Sequence, residues 1–478
     1  MKNLAVVVLA AGEGTRMKSE RAKVLHPVLG RPMVSYPLEV ARALKPEKTV
    51  VVVGVQAKQV KDALQDYDLS FALQKEQKGT GHAVLSALPA LKGFDGDVLV
   101  FYGDGPCLRA ETLKGLVSLH RKRKAKMSLL TVMLDGPAGY GRIVRDEAGN
   151  IRGIVEQKDC TEKQKEIKEA NPGLYCYEAG FLKNNLKKLK NDNRQKEYYL
   201  TDLVEMAVNS GLKVASGRVE DPAEVLGVNS RWELAKVEGV LKQRINKNHC
   251  LAGVTIESPE TVHIAPEVKI GIDAVIEPGV RLCGVTRIGK GAHIEMNSRL
   301  TDTVVEEGAR VKTGSVLEEC TVRSGAQVGP MAHVRPGSEI GKNAKLGNFV
   351  ETKKALIGEG AKISHLSYVG DAEIGKRVNL GCGFITCNYD GTNKWKTVIE
   401  DDAFVGSDSQ TVAPVTIGKG SYIGSGSTIT ADVPPGSLSM TRSPQIVKQE
   451  WAKKKAANTK RPSSSKKKGK GQKTCAGS

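Results

Sequence analysis

The sequence predicts an α/β domain, a single linking helix and a parallel β-helix, in that order. Three observations carry this. Short β-branched runs alternate with amphipathic ones up to residue 228; apolar residues recur at helical spacing across 229–250; beyond about residue 252 an aliphatic residue returns every six positions.

In the first part LAVVVLA, TVVVVG, SFALQ, DVLVFYG and MSLLTVML read as strands, with MVSYPLEVARAL and GTGHAVLSALPAL as helices between several of them. This alternation implies a mostly parallel sheet covered by helices, whose ligands gather at the carboxyl ends of the strands. Chemistry is therefore expected in the loops after LAVVVLA and MSLLTVML, or at the DG of YGDGP. In the linking segment Trp232, Leu234, Val237, Val240, Leu241 and Ile245 mark a helix. In the last part IGKGAH IEMNSR, VGPMAH VRPGSE IGKNAK LGNFVE, IGEGAK ISHLSY and VGSDSQ TVAPVT IGKGSY IGSGST repeat the six-residue unit. Such units form coils of three short strands, and each inward aliphatic side chain stacks on its equivalent one coil away. CNYDGTNKWKT, residues 387–397, breaks the register and has to loop out; its Asn, Tyr, Trp and Lys favour a binding role.

Composition narrows the function classes. With 478 residues, 40% hydrophobic and 26% charged, the chain is long enough for several domains with their own cores. No apolar run reaches the roughly 18–20 residues of a membrane span. The stretch Leu4–Ala11 is short for a signal core and continues directly into a fold. The nine cysteines are scattered, with no C-x-x-C and no zinc spacing, which points to free thiols in a reducing cytoplasm. About half of the net charge of +19 lies in the tail, where ten Lys or Arg and no acid follow Glu450. That tail is expected to be disordered. No aromatic residues interleave its lysines, so no specific nucleic-acid partner is implied. The domain boundaries expected are 1–228, 229–250, 251–450 and a tail at 451–478.

In the first loop Leu9, Ala10, Ala11, Gly12, Gly14 and Thr15 make a small-residue turn followed by Arg16 and Lys23. Backbone N–H groups can there approach a phosphate or a base edge, and the cations neutralise phosphate charge. Walker A is absent, and only G-x-G of the dinucleotide fingerprint is present. His26 and His82 have no partner at catalytic spacing and read as structural. Asp104, ending DVLVFYGD, is a hard oxygen donor suited to Mg²⁺, although Asp before Gly is also an ordinary turn.

LAAGEGTRM followed by KVLHPVLGRPM resembles the sugar-1-phosphate nucleotidylyltransferase signature L-x-x-G-x-G-T-x-M-x4-P-K, with Ala22 in place of the proline. ALQKEQKGTGHA, FYGD, AGYGRI, GIVEQKD and GVNSR extend the likeness. With the hexapeptide half, nearly the whole chain is similar to the bifunctional N-acetylglucosamine-1-phosphate uridylyltransferase and glucosamine-1-phosphate acetyltransferase family. The resemblance implies a Rossmann-like nucleotidyltransferase domain, a left-handed β-helix acetyltransferase domain, a homotrimer and a cytoplasmic setting. It also implies Mg²⁺ and acetyl-coenzyme A, with UTP, glucosamine 1-phosphate and N-acetylglucosamine 1-phosphate as the other small molecules.

Carried over by position, Leu9, Ala10, Ala11, Gly12, Gln74, Gly79 and Thr80 would hold the uridine, with Arg16 and Lys23 on the triphosphate. Tyr102, Gly103, Gly141, Glu156 and Asn171 would contact the sugar, and Asp104 and Asn229 the metal. The sugar phosphate oxygen would attack the α-phosphorus in line, so alignment and electrostatics carry the step rather than a protein nucleophile. In RPG, GNFVETKK, ISHLSYVGD, VNLGCG and TCNYDG, Arg335 and Lys353 would bind the sugar phosphate, and Tyr368, Asn379 and Asn388 would orient it. His365 would be the general base, since a histidine near neutral pKa suits deprotonation of an amine. Acetyl-coenzyme A would lie along the coils on Cys382, Asn388, Tyr389, Ser407, Ser425 and Arg442. Gly105, Pro172, Leu226, Cys382 and Ser425 depart from the family's usual residues. Two alternatives remain at this level: a solenoid that only oligomerises, and a basic scaffolding or nucleic-acid-binding protein supported by the tail alone.

Overall fold

The computed structural model describes residues 3–458. LAVVVLA forms the strand Leu4–Ala10, buried along its whole length because it lies between two parallel neighbours, Lys48–Val53 and Asp97–Tyr102. Ser70–Leu73 continues the parallel side beyond Lys48–Val53. The period-2 alternation of the strand feeds two separate cores. Ala5, Val7 and Leu9 join one face; Leu4, Val6 and Val8 join the other.

The other half of this ten-stranded sheet departs from the expected parallel order. Tyr175–Glu178 runs antiparallel to both Asp97–Tyr102 and Met127–Met133. After Met127–Met133 the chain makes an excursion through Gly141–Arg145, Ile151–Val155 and Glu169–Asn171. It re-enters the sheet at the carboxyl ends of the parallel strands and can only run back. Val214–Val219 then pairs parallel with Met127–Met133. The expected helices appear as Ser35–Ala43 and as Thr80–Ala87, the latter followed by a 3₁₀ turn at Leu88–Leu91.

The linking helix is Arg231–Leu251, 21 residues, capped by the Ser230 side chain accepting from the Glu233 N–H. Its Val237 and Leu241 form a small core with Met17, Val28, Leu29, Met33, Cys107 and Val228. Trp232, expected on the apolar stripe, is instead 71% exposed, and Lys236 lies over its ring at 5.5 Å. At the far end of the helix Asn246 Nδ2 donates to the carbonyls of Pro259 and Val262. Arg31 Nε, 3.1 Å from Glu267, ties the α/β domain to the first coils.

From Thr255 onward the chain winds as a left-handed β-helix with three faces of parallel ladders. On one face Ile276, Ile294, Val311, Val328, Leu346, Ile363, Leu380, Val405 and Ile423 pair in register coil after coil. All are buried in one continuous core. Burying each such side chain stabilises the stack by roughly 1.5–3 kcal/mol, so the six-residue spacing is maintained by packing. Between Ile385–Cys387 and Thr397–Ile399 the chain leaves the stack as expected. The tail departs from the expected disorder at its start: Trp451–Asn458 is helical, in keeping with the helix propensity of Ala and Lys. Residues 459–478 lie outside the described residues.

Candidate active sites

The loop after Leu4–Ala10 is shaped around Lys23. Gly14 has φ +66°, and a Cβ there would stand 2.6 Å from Lys23 Cβ, so only glycine lets the turn close on the lysine stem. Ala22, where the resemblance expects proline, keeps φ −52° and ψ 134°, the backbone a proline would impose. Its N–H donates to Gln59 Oε1 at 3.0 Å, a bond proline could not make. The approach to Lys23 is thus fixed by a hydrogen bond in place of a ring.

Leu9, Ala10, Ala11, Gly12, Lys23, Gln74, Gly79 and Thr80 line one cleft of about 240 Å³. Gln74, 4% exposed, donates to the Gly79 carbonyl at 3.1 Å and meets His82 Nδ1 at 3.2 Å. His82 is therefore a partner of a candidate site residue. Thr80 Oγ1 accepts from the Leu200 N–H. A second cleft of about 760 Å³ holds Arg16, Tyr102, Asp104, Gly141, Glu156, Asn171 and Asn229. Gly103 sits behind both, its N–H donating to the Leu9 carbonyl at 2.8 Å.

The two clefts share Tyr102 and Asp104. At this junction Lys23 Nζ is 2.5 Å from Asp104 Oδ2 and 3.3 Å from Asn229 Oδ1. Asp104 is brought there by its strand. The Val228 N–H donates to the Asp104 carbonyl at 3.0 Å, placing the next residue, Asn229, opposite. The Asn229 N–H is held by Glu233 Oε2 at 2.8 Å. Arg16 is exposed. Its charge helps to hold the Glu233 carboxyl below the usual range, together with hydrogen bonds from Asn229 and Ser230 that outweigh burial.

In the larger cleft burial pushes the Glu156 carboxyl up, against a hydrogen bond from Thr201 and with added repulsion from Asp159 and Glu197. Asn171 Nδ2 donates to the Tyr175 hydroxyl at 2.6 Å, and the Gly173 N–H donates to Asn171 Oδ1. Pro172 lies between these bonds and interrupts neither. Leu226 packs against the linking-helix core, which accounts for an apolar residue where an acid is usual.

In the β-helix the candidate residues fall on two corners. Cross-coil bonds run from the Leu366 N–H to the Asn348 carbonyl, Gly383 to His365, Asp408 to Cys382 and Gly426 to Ser407. Asn348, His365, Cys382, Ser407 and Ser425 therefore occupy one corner, one residue per coil. His365 Nδ1 meets Asn348 Oδ1 at 2.7 Å. Since that oxygen only accepts, Nδ1 is the donor in this contact, an arrangement that in the neutral ring leaves Nε2 to accept. Arg442 Nη1 donates to the Ser425 carbonyl at 3.3 Å.

The next corner carries Arg335 and Lys353, on adjacent coils by the register Val334 with Thr352. Arg335 is bonded to Glu351 at 2.7 Å. Tyr368 pairs with Glu351 across this face, and Asn379 lies three residues before Cys382 on the preceding face. The loop at 387–397 folds back: Asn388 Nδ2 donates to Asp371 at 2.6 Å, and the Tyr389 hydroxyl to the Gly391 carbonyl. It brings Lys394 beside Lys353, whose ammonium is held below its ordinary range mainly by that neighbour and by Arg335.

Gln77, which donates to the Ala11 carbonyl at 2.6 Å, Thr201, Asn348 and Lys394 escaped the sequence reading. Asn348 was accessible through coil arithmetic, one turn before His365. The others depend on loop conformation.

The nucleotidyl transferase family matches residues 5–221 and the bacterial transferase hexapeptide family residues 396–431. The chain is similar to the bifunctional protein GlmU of Pelobacter propionicus, 50% identical over 452 residues, covering 94% of this chain and 98% of that one. GlmU of Geotalea uraniireducens is 50% identical over 456 residues, 95% and 100% of the two chains. GlmU of Syntrophotalea carbinolica is 53% identical over 450 residues, 94% and 96%.

Near the larger cleft, burial pushes the Asp202 carboxyl up to about 6, with Glu205, Glu156 and Asp159 adding repulsion. A carboxyl raised on folding favours the protonated folded state, so its charge destabilises the fold increasingly as pH rises through this range. Asp202→Asn is expected to stabilise the protein at pH 7.5 by about 1 kcal/mol, allowing for partial solvent screening. Denaturant midpoints should show this gain shrinking between about pH 6 and pH 4.

Proposed function

The chain belongs to the bifunctional GlmU family, and from that premise we propose which residues carry its two reactions. It is an enzyme of UDP-N-acetylglucosamine synthesis. The β-helix half acetylates glucosamine 1-phosphate, and the N-terminal half joins N-acetylglucosamine 1-phosphate to the uridylyl group of UTP, releasing pyrophosphate.

In our reading the smaller cleft takes the uridine of UTP on Leu9 to Gly12, Gln74, Gly79 and Thr80. The larger cleft takes the sugar on Tyr102, Gly141, Glu156 and Asn171, with Gly103 backing it from behind. The observation that carries this assignment is the meeting of Lys23, Asp104 and Asn229 where the clefts join, the place where the α-phosphate and the attacking sugar phosphate have to meet. Asp104 Oδ2 and Asn229 Oδ1 converge there as hard oxygen donors already facing one cation, a donor set that fits Mg²⁺. Bound there, Mg²⁺ would supply charge neutralisation on the triphosphate. Lys23 and Arg16 hold the phosphates, Glu156 orients the sugar, and the protein aligns the attacking oxygen with the departing pyrophosphate.

For acetyl transfer, Arg335 and Lys353 bind the phosphate of glucosamine 1-phosphate, while Tyr368, Asn379 and Asn388 orient the sugar. Nε2 of His365 accepts the amine proton as the nitrogen attacks the thioester carbonyl. The new C–N bond forms, the C–S bond breaks, and the departing thiolate takes that proton back from His365, so that coenzyme A leaves as the thiol. Cys382, Ser407 and Ser425, one per coil along the His365 corner, make a track for acetyl-coenzyme A, with Arg442, Asn388 and Tyr389 beside it.

Phosphate cations and base stand on different corners, and Met331, Phe349 and Leu366 line the base corner while being 51%, 58% and 59% exposed. We take this to support a homotrimer in which neighbouring chains cover that corner. The eight cysteines among the described residues are all free, which supports the reducing cytoplasm. No helix among the described residues is long and apolar enough to cross a membrane.

His365→Ala is expected to lower acetylation by roughly 10² to 10⁴ fold while uridylyl transfer, assayed on the same protein, stays unchanged. Undiminished acetylation would remove His365 from its role. Complete modification of the exposed Cys382 by a thiol reagent should block acetylation, and retained activity after such modification would contradict the proposed track.

A further inference from the structure

Asp104 is followed by Gly105, at which an added Cβ would meet no atom within 4 Å. Neither a left-handed backbone nor a close neighbour explains the glycine there. Glycine adds chain freedom beside a residue whose position decides the reaction. Something has to restrain the loop, and the linking helix supplies it.

Arg244 Nη1 donates to the Cys107 carbonyl at 2.8 Å, across 137 residues of chain. The Cys107 side chain is buried and its thiol points to the Val237 carbonyl of the same helix. Arg244 Nη2 is itself buried with no hydrogen-bond partner among the described residues. The same helix holds the other two segments of the junction: Arg231 Nε donates to the Met17 carbonyl at 3.2 Å, and Glu233 holds Asn229. Arg244 completes the set by fixing the backbone three residues beyond Asp104.

We propose that Arg244 is a positioning residue for uridylyl transfer: its bond to the Cys107 carbonyl restrains the loop loosened by Gly105 and keeps Asp104 aimed at Asn229. The inference rests on Asp104 and Asn229 as the metal ligands. It also makes the linking helix part of the uridylyltransferase site, although the helix leads into the acetyltransferase half.

The test uses the full-length chain and three variants, Arg244→Met, Arg244→Lys and Arg244→Met with Gly105→Ala. In Arg244→Met, amide exchange across residues 103–109 of the metal-free protein should accelerate about tenfold. The Mg²⁺ concentration for half-maximal uridylyl transfer should rise about tenfold, the usual scale for groups that orient metal ligands, with acetylation unchanged. Arg244→Lys retains a donor and should restore both readouts. Gly105→Ala should suppress the Arg244→Met defect by stiffening the loop.

Unchanged exchange and Mg²⁺ requirement in Arg244→Met would overturn the proposal. So would equal defects in the Met and Lys variants accompanied by a common fall in melting temperature, or failure of Gly105→Ala to suppress. If the parent chain itself made no UDP-N-acetylglucosamine, the uridylyltransferase reading would fail, while the exchange comparison would still report on the restraint.

Discussion

The ammonium of Lys23, held between the Asp104 carboxylate and the Asn229 amide oxygen, is the contact on which the N-terminal half depends. It joins residues 81 and 206 positions apart, and each is delivered by a different element. Gly14 lets the first loop close on the lysine, the strand Asp97–Tyr102 carries Asp104 past its end, and the cap of the linking helix presents Asn229. With Lys23 and Asp104 only 10% and 18% exposed, removal of either leaves a poorly solvated charge without its partner, which is costly. In the function we propose, the same junction receives the charge of a triphosphate and its metal.

The β-helix solves its problem by translation rather than by convergence. A core of stacked aliphatic residues fixes the coil spacing, and a column at one corner then repeats a side-chain position every coil of about 4.8 Å. Asn348, His365, Cys382, Ser407 and Ser425 follow that repetition along one corner, and on our proposal they set a base at one end of an extended track. Among the described residues the loop at 387–397 leaves the repeat, and it returns a third cation, Lys394, to the pair already on the neighbouring corner.

Much of this was legible in the chain. LAVVVLA and the G-x-G turn mark the first strand and its loop, and six-residue spacing specifies the coils because the core demands it. Strand direction was not legible: nothing in the periodicity of YCYE says that it runs against DVLVFY, because direction follows from where the intervening hairpin releases the chain. Trp232 fits the apolar stripe by spacing yet faces water, since the first half of the helix turns Val237 and Leu241 to Met17, Cys107 and Leu29 and leaves Trp232 outside that core. Ala22 is legible as a departure from the signature proline, but the Gln59 hydrogen bond that replaces the ring comes from a helix 37 positions away. Gln77, Thr201 and Lys394 were hidden for the same reason, as loop conformation is set by contacts remote in sequence.

The most direct measurement of the central claim is a one-pot assay resolved by mass. The full-length chain and its Asp104→Asn variant are each given glucosamine 1-phosphate, acetyl-coenzyme A, UTP and Mg²⁺, and each component is omitted in turn. The parent should form UDP-N-acetylglucosamine and pyrophosphate only in the complete mixture, and N-acetylglucosamine 1-phosphate alone when UTP or Mg²⁺ is left out. The variant should stop at N-acetylglucosamine 1-phosphate in the complete mixture. UDP-N-acetylglucosamine formed at the parental rate by the variant, or by the parent without Mg²⁺, would contradict the account.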